Sequence, residues 1–111
     1  MQVKIVTICG SLKFQNEMMR IAEEMELKGN CILPVIYPTR MNKDTYTKEE
    51  HFMFDKMHKE KIKLSDAILV VNVDGYIGDS TKSEIEYAKS LNKEILYYTD
   101  LIKWGKYILG L

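Results

Sequence analysis

Two short segments contain residue types on which a chemical step could depend. In the first, Gly10 and Ser11 follow a run of apolar residues and precede Lys13. Glycine lets the backbone turn sharply and approach a ligand, and a helix that starts here would present its backbone N–H groups to an anion. Lys13 would add positive charge. The alternative is that Ser11 only caps the helix, since Gly-Ser pairs are common at strand-to-helix turns.

Glu84 is the strongest catalytic candidate in the second segment, 74–84. The spacing predicts that it lies in the first turn of a helix, where the helix dipole would keep its carboxylate ionised and available as a nucleophile. Thr81 and Glu84 also fit a capping box, a local structure that requires no function. Spacing alone favours the capping box.

Alternating strands and helices must position both segments. Apolar, β-branched runs predict strands at 3–9, 31–36, 66–73 and 94–98, and helical spacing predicts helices that begin near Phe14, Thr47, Ser80 and Leu101. This pattern predicts a single α/β domain over 1–111, a flavodoxin-like or Rossmann-like three-layer sandwich with a parallel sheet of about four strands in the order 2-1-3-4. Pro34 indicates that the second strand is at an edge. In such sheets ligands bind where the strand order reverses, which is where both segments lie.

The bulk composition excludes several classes of protein. The 111 residues contain 16 Lys and Arg against 16 Asp and Glu, and this zero net charge argues against binding to polymeric nucleic acid. The longest apolar run, Ala67 to Val71, is too short to cross a bilayer. Without an evident export signal, Cys9 and Cys31 are expected to be reduced thiols in a cytoplasmic protein. Most of the seven methionines are expected to fill the core.

Several phosphate-binding motifs are absent. The sequence has neither the P-loop pattern GxxxxGK[ST] nor GxGxxG. A small tyrosine phosphatase would need an arginine six residues after Cys9, where Gln15 stands instead. Cys9 is therefore interpreted as a buried thiol at the end of a strand.

The sequences ICGSLK, at 8–13, and STKSEIEYAKSLNKEILYY, at 80–98, resemble the nucleoside 2-deoxyribosyltransferase superfamily. That superfamily includes the 2′-deoxynucleoside 5′-monophosphate N-glycosidases. Its members have a Gly-Ser turn after the first strand and a helix-opening pattern like G-T-x-x-E-x-G-x-A after the third. The resemblance extends roughly from Val3 to Tyr98.

The resemblance implies roles for individual residues. Glu84 matches the nucleophilic glutamate, and Gly10 and Ser11 match the turn that holds the substrate. Lys13 stands where the nucleotide hydrolases have an arginine that binds the 5′-phosphate. Further candidates for substrate contacts are Asp74, Asp79, Ser80 and Thr81, and Tyr37 and Tyr46 could stack on a base. The implied ligand is a small nucleoside or nucleotide, and no cofactor is expected.

Two positions depart from the family pattern. Glu86 stands where the family usually has glycine. The family also has an acidic residue eight positions before the aspartate that opens the third strand, and counting back from Asp66 gives His58. An imidazole can still donate or accept a proton. Asp55, one helical turn earlier, is a possible substitute.

The implied reaction is cleavage or transfer of an N-glycosidic bond. Glu84 would attack the anomeric carbon through an oxocarbenium-like transition state, the base would leave, and water or another base would resolve the glycosyl-enzyme with net retention. His58 or Asp55 would assist the leaving base. The alternative is a binding or sensing module of the same fold without catalytic activity, which His58 and Glu86 favour and Glu84 opposes.

Two further expectations concern metal binding and the oligomeric state. His51, Asp55 and His58 share one helix at spacings that could hold a metal, but without an HExxH motif or a cysteine cluster no metal site is expected. Family members are homo-oligomers, and the apolar C-terminal residues could form a subunit contact. At least a homodimer is therefore expected, with that contact formed by Trp104, Ile108, Leu109 and Leu111.

Overall fold

A computed structural model describes residues 3–42 and 45–104 of the chain. The strands are β1 (Ile5–Cys9), β2 (Cys31–Leu33), β3 (Ala67–Val70) and β4 (Glu94–Tyr97). The helices are α1 (Gln15–Leu27), α2 (Lys48–Leu64), α3 (Asp79–Ser90) and α4 (Tyr98–Trp104). Short 3-10 turns at Leu12–Phe14 and Val73–Gly75 follow β1 and β3.

The four strands form one sheet in the order β2-β1-β3-β4, and each pair is parallel. The predicted fold class and strand order are therefore confirmed. The chain runs outward in opposite directions after β1 and after β3, so the strand order reverses between these two neighbouring strands. Ligand sites in open parallel sheets occur at this point, beyond the carboxyl ends of the strands.

Side chains alternate across the sheet and build two apolar layers. Val6 and Ile8 of β1 face one layer, which also contains Met18 and Met25 of α1 and Leu101 of α4. The opposite face of the sheet packs against α2 and α3, through Cys9, Ile62, Ile68, Val70, Ile85 and Ala88. Because Cys9 ends β1 on this second face, it points toward the two helices that contain the catalytic candidates.

Helix α2 is much longer than the strands against which it packs. Its 17 residues span about 25 Å, whereas the four or five residues of β1 and β3 span about 13–17 Å. Among the described residues of α2, only Ile62, near the C-terminal end of the helix, is fully buried. The N-terminal half of α2 therefore extends beyond the strand ends and forms one wall of the space above the sheet.

The expectation that most methionines fill the core is wrong. Of the six methionines that the structure describes, Met18 and Met25 are in the core, but the other four are exposed. Two of the exposed ones, Met53 and Met57, lie on α2 among other exposed apolar residues of the same helix, Phe52, Phe54 and Leu64. Apart from Leu64, which ends α2, these residues all precede His58 on the helix.

Several element boundaries differ from the predicted ones. The edge strand β2 ends at Leu33 because Pro34, the next residue, has no N–H to donate. At the other edge, α4 begins at Tyr98, directly after β4 and three residues before the predicted start at Leu101. The predicted subunit contact falls mainly on residues 105–111, and Ile108, Leu109, Leu111 and the side chain of Trp104 lie outside the described residues.

Candidate active site

The site is at the carboxyl ends of β1 and β3, where the backbone and side chains around residue 10 leave little room for a Cβ atom. A Cβ added to Gly10 would lie 3.1 Å from Met18 Sδ and 3.2 Å from the carbonyl oxygen of Val71. Glycine thus lets the turn after β1 pack against the residue that follows β3. This close packing is the role that the structure gives Gly10, which also lines the cavity described below.

Three potentially reactive side chains meet just beyond this turn. Cys9 Sγ is 3.5 Å from His58 Nε2, and His58 Nε2 is 3.7 Å from Glu84 Oε1. Cys9 Sγ, His58 Nε2 and a carboxylate oxygen of Glu84 all lie within 4.8 Å of one another. Cys9 is fully buried, and the His58 and Glu84 side chains are only 11% and 13% exposed. The cluster joins the end of β1 to α2 and α3.

Hydrogen bonds at the C-terminal end of α2 fix the position of His58. The buried Thr7 hydroxyl of β1 donates to the carbonyl of Lys61, 3.0 Å away, and the Ser65 hydroxyl donates to the same carbonyl at 2.7 Å. The two hydroxyls also contact each other. Since Lys61 is three residues after His58, these bonds hold the helical turn that contains His58 against β1.

Burial strongly changes the proton affinity of Glu84. The pKa of this carboxyl is raised from 4.5 to about 7, mainly by desolvation and further by the negative charge of Asp55. Hydrogen bonds from Cys9 and Ser80 and the charge of Lys59 act in the opposite direction without cancelling the effect. Glu84 is therefore a mixture of carboxylate and carboxylic acid near neutral pH.

His58 and Cys9 are both held in their neutral forms. Burial, helped by the nearby charge of Lys61, lowers the pKa of His58 to about 4 against the opposing effect of Asp55. Burial and the neighbouring Glu84 raise the pKa of the Cys9 thiol well above its usual range. Between about pH 4 and pH 7, His58 and Glu84 are thus mainly uncharged, and their 3.7 Å contact is not an ion pair in this range.

A cavity of about 250 Å³ opens directly above the cluster. This volume is close to the lower end of the range for small-molecule sites, about 300 Å³. Its floor is formed by Gly10, His58 and Glu84, and its remaining walls are mainly apolar or aromatic. The other lining residues are Leu12, Val35, Ile36, Pro38, Tyr46, His51, Phe54, Asp55, Met57, Lys61 and Ser80.

An ion pair holds the loop that supplies the aromatic wall. Arg40 binds Glu50 of α2 through two hydrogen bonds of 3.0 and 2.8 Å, and its guanidinium lies 4.2 Å from the centre of the Tyr46 ring. Glu50 also completes the predicted capping box with Thr47, which is confirmed. The Tyr46 ring packs in turn against Phe54, at 5.6 Å between ring centres. The start of α2 therefore positions the side of the cavity farthest from the sheet.

Comparison with known proteins identifies a fold neighbour. No protein-family model and no curated protein matches the chain. Among solved structures, a 2-desoxiribosyltransferase from Leishmania mexicana matches with a TM-score of 0.56 and 21% identity, over 86% of this chain and 63% of that one. The chain thus spans less than two thirds of the length of this neighbour. At this identity the similarity shows a shared fold.

Five of the residues proposed for catalysis or substrate binding lie together around the cavity, namely Gly10, Asp55, His58, Ser80 and Glu84. They come from the turn after β1, from α2 and from α3. Of the two tyrosines considered for base stacking, Tyr46 lines the cavity, whereas Tyr37 packs against the core on the other face of the sheet.

The other proposed substrate contacts lie outside the cavity lining. Ser11 accepts a hydrogen bond from the backbone N–H of Lys13, as the helix-capping interpretation predicted. The Lys13 ammonium lies 3.2 Å from the centre of the Tyr76 ring. Asp74 and Asp79 are exposed, and Thr81 is buried in α3.

The local environment predicted for Glu84 is wrong. Helix α3 begins at Asp79 with Gly78 as its N-cap, so Glu84 is the sixth residue of the helix and lies beyond its first turn. Thr81 is inside the helix and does not form the predicted capping box. Burial therefore outweighs the helix dipole, and it raises the pKa of Glu84 instead of keeping the carboxylate ionised.

Sequence reasoning missed the participation of Cys9 in the cluster. Among the described residues, the group with potential metal-ligand atoms close together is Cys9, His58 and Glu84, and His51 and Asp55 are not part of it. The alternation of side chains along β1 was a usable signal. Cys9 follows Thr7 by two residues, so both side chains face the same side of the sheet. What the sequence could not give was the position of α2 over that face.

No helix in the described part of the chain is long and apolar enough to cross a membrane.

Proposed function

We propose that this chain cleaves or transfers the N-glycosidic bond of a nucleoside or deoxynucleoside, or of its 5′-monophosphate, through a covalent glycosyl-enzyme on Glu84. The observation that carries the proposal is the position of Glu84, which lies on the floor of a mainly apolar cavity at the point where the strand order reverses. The fold neighbour named a 2-desoxiribosyltransferase supports the reaction class.

The chemistry follows from the site residues. The ionised form of Glu84 attacks the anomeric carbon, and the bond electrons leave with the base as the glycosyl ester forms. His58 or Asp55, which also lines the cavity, assists the departing base through a hydrogen bond, and the base takes its proton from solvent water. Because its pKa is about 4, His58 is neutral near pH 7, and its ring N–H can donate a hydrogen bond to the departing base but not a proton. Water or a second base then attacks the same carbon, with net retention.

Within this substrate class, the cavity favours an uncharged nucleoside over a nucleotide. Lys13, which the resemblance places at the phosphate, lies over the Tyr76 ring and outside the cavity lining. Lys61 does line the cavity, but its ammonium donates to the carbonyl of Pro34, 2.7 Å away. Two carboxyl groups, Asp55 and Glu84, would face an added phosphate dianion.

The test is release of free base from each deoxynucleoside and each deoxynucleoside monophosphate, followed by liquid chromatography. Glu84→Gln is expected to reduce release by on the order of 10³-fold or more, because an amide cannot form the glycosyl ester. Glu86→Gln is the matched control, since the side chain of Glu86 is on the same helix but 74% exposed. Equal losses in the two variants, or full activity in Glu84→Gln, would exclude Glu84 as the nucleophile.

A second candidate function is a nucleoside-binding module of the same fold without turnover. It is favoured by the surroundings of Glu84, whose carboxyl is only 13% exposed and lies close to Cys9 and His58 in the free protein. Calorimetric titration with each nucleoside separates the two functions. Tight binding with no base released by the wild-type protein supports the module, whereas turnover excludes it.

The proposed active form is a homodimer or higher homo-oligomer. Exposed apolar residues on the overhanging part of α2 support this, including Phe52 at 66% and Met53 at 51% exposure. They adjoin Phe54 and Met57 of the cavity wall, so a second copy packed there would shield the site from water. Light scattering coupled to size-exclusion chromatography measures the mass, and a monomer at assay concentrations would contradict the expectation.

A further inference from the structure

The cluster beneath the cavity brings together three different metal-ligand atoms. Cys9 Sγ, His58 Nε2 and a carboxylate oxygen of Glu84 all lie within 4.8 Å of one another. In a tetrahedral zinc site, with Zn–S near 2.3 Å and Zn–N and Zn–O near 2.0–2.2 Å, neighbouring ligand atoms are about 3.3–3.6 Å apart. The measured separations of 3.5 Å for Cys9 to His58 and 3.7 Å for His58 to Glu84 are close to these values.

The three ligands come from three separate elements, which distinguishes the cluster from a chance grouping on one helix surface. Cys9 ends β1 in the centre of the sheet, His58 is held by the bonds between α2 and β1, and Glu84 lies on α3. Cys9 is closed off from solvent, whereas His58 and Glu84 line the cavity. Three protein ligands with a fourth position facing an open cavity is the arrangement of a zinc site that can exchange its fourth ligand.

We propose that Cys9, His58 and Glu84 form a binding site for Zn²⁺ or a similar transition-metal ion, with the fourth coordination position open to the cavity. The ligand set selects the ion, because a thiolate and an imidazole favour zinc, whereas Mg²⁺ and Ca²⁺ favour sites made of oxygen atoms. When the metal binds, the Cys9 sulfur and a Glu84 oxygen form bonds to it, and the thiol proton and the carboxyl proton of any protonated Glu84 are released to solvent. The oxidation state of the metal does not change.

One consequence rests on the proposed function. A metal bound to Glu84 draws electron density from its carboxylate, so the metal-bound protein forms the glycosyl ester much more slowly than the metal-free protein. Stoichiometric zinc is then a reversible inhibitor of base release, and a chelator restores activity. Mg²⁺ at the same concentration has no such effect, because it does not compete for a thiolate site.

The test of the metal site is a cobalt titration of the whole chain after removal of metals with a chelator. Binding is expected to give one Co²⁺ per chain, with a thiolate-to-cobalt charge-transfer band and the visible bands of tetrahedral cobalt. Cys9→Ser removes the charge-transfer band. His58→Gln weakens binding by at least about 10–100-fold, the loss typical even for residues that only support metal ligands.

The matched control is Cys31→Ser, since Cys31 is a free cysteine on the exposed edge strand β2. It is expected to leave the spectrum unchanged. Circular dichroism verifies that each variant is folded, and His58→Gln provides a test that does not require substitution of the fully buried Cys9. A wild-type protein without a one-to-one cobalt spectrum, or a band that Cys31→Ser abolishes and Cys9→Ser retains, would overturn the proposal.

The cobalt spectrum does not depend on turnover, so the two proposals can fail separately. If the protein binds cobalt as described but releases no base, the proposed metal site is supported and the proposed enzymatic function is excluded. If the protein releases base but gives no cobalt spectrum, the proposed function is supported and the proposed metal site is excluded.

Discussion

Replacing Glu84 with glutamine is expected to stabilise the fold at alkaline pH while it removes the proposed activity. The carboxyl is 13% exposed, and burial raises its pKa to about 7, compared with 4.5 for an unperturbed carboxyl. The folded protein therefore holds this proton more tightly than the unfolded chain does. As the pH rises from 4.5 to 7, ionisation favours the unfolded chain, and stability is lost over this interval.

The size of the effect follows from the two pKa values. One pKa unit corresponds to about 1.4 kcal/mol, so ionised Glu84 lowers the free energy of unfolding by about 3 kcal/mol at pH 8 and by less than about 1 kcal/mol at pH 5. Glutamine has a similar shape and does not ionise, so Glu84→Gln recovers this loss. His58, whose pKa is lowered, destabilises the fold only as the pH falls from 6.5 toward 4, and it does so in both proteins.

The assay is urea unfolding of both proteins at pH 5 and pH 8, in the presence of a chelator. With a slope of about 2 kcal/mol per molar urea, the expected gain at pH 8 is a midpoint about 1.5 M higher. Glu86→Gln, at an exposed position of α3, is expected to change stability by less than about 0.5 kcal/mol at either pH. The reasoning is refuted if Glu84→Gln destabilises the protein at pH 8, or if it stabilises equally at both pH values.

Two further predictions concern the turn after β1 and the pH dependence of the reaction. Gly10→Ala is expected to lower the free energy of unfolding by about 1–3 kcal/mol in thermal or urea unfolding, because the added Cβ would lie 3.2 Å from the carbonyl oxygen of Val71. Gly78→Ala, where the nearest atom is 3.5 Å away, is the control, and an equal loss there would contradict the explanation. In the base-release assay, kcat/KM is expected to fall about tenfold per pH unit below pH 7 as Glu84 becomes protonated, and Asp55→Asn should move this limb to lower pH. A flat profile between pH 5 and pH 8 would exclude ionised Glu84 as the nucleophile.

The four-stranded sheet could be predicted from the sequence because each signal for it was local and several signals agreed. Apolar runs gave the four strands, helical spacing gave the connections, and Pro34 indicated the edge. Thr47 and Glu50 form the predicted capping box, and Gly29, at a φ of 95°, ends α1 as expected. Right-handed parallel connections then leave few arrangements of four strands.

The environment of Glu84 was not predictable, because local signals around it compete. Asp79, Ser80 and Thr81 are all residue types that cap helices, and only tertiary packing selects Gly78 as the N-cap. The resulting register turns Glu84 toward Cys9 and His58. Its raised pKa depends on burial by residues of three elements, and no sequence window contains that information.

The exposed apolar face of α2 also depends on tertiary packing that no local sequence pattern contains. A periodic apolar pattern predicts that a helix has an apolar side, but it does not say how far the neighbouring sheet extends. Here the helix is longer than the strands, so Phe52 and Met53 project past the sheet. The strands predicted at 3–9 and 66–73 would be about as long as α2, so the overhang follows only from the shorter β1 and β3 that the structure shows.

Stability of the fold does not account for the Cys9, His58 and Glu84 cluster. Ionised Glu84 costs about 3 kcal/mol near neutral pH, a large part of the 5–15 kcal/mol that stabilises a typical domain. His58 adds a similar cost in acid, since burial lowers its pKa to about 4. Apolar side chains of the same size would pack against β1 without either cost. Because the two costly groups face an open cavity at the strand-order reversal, the arrangement is better explained by a chemical role for the site than by a role in folding.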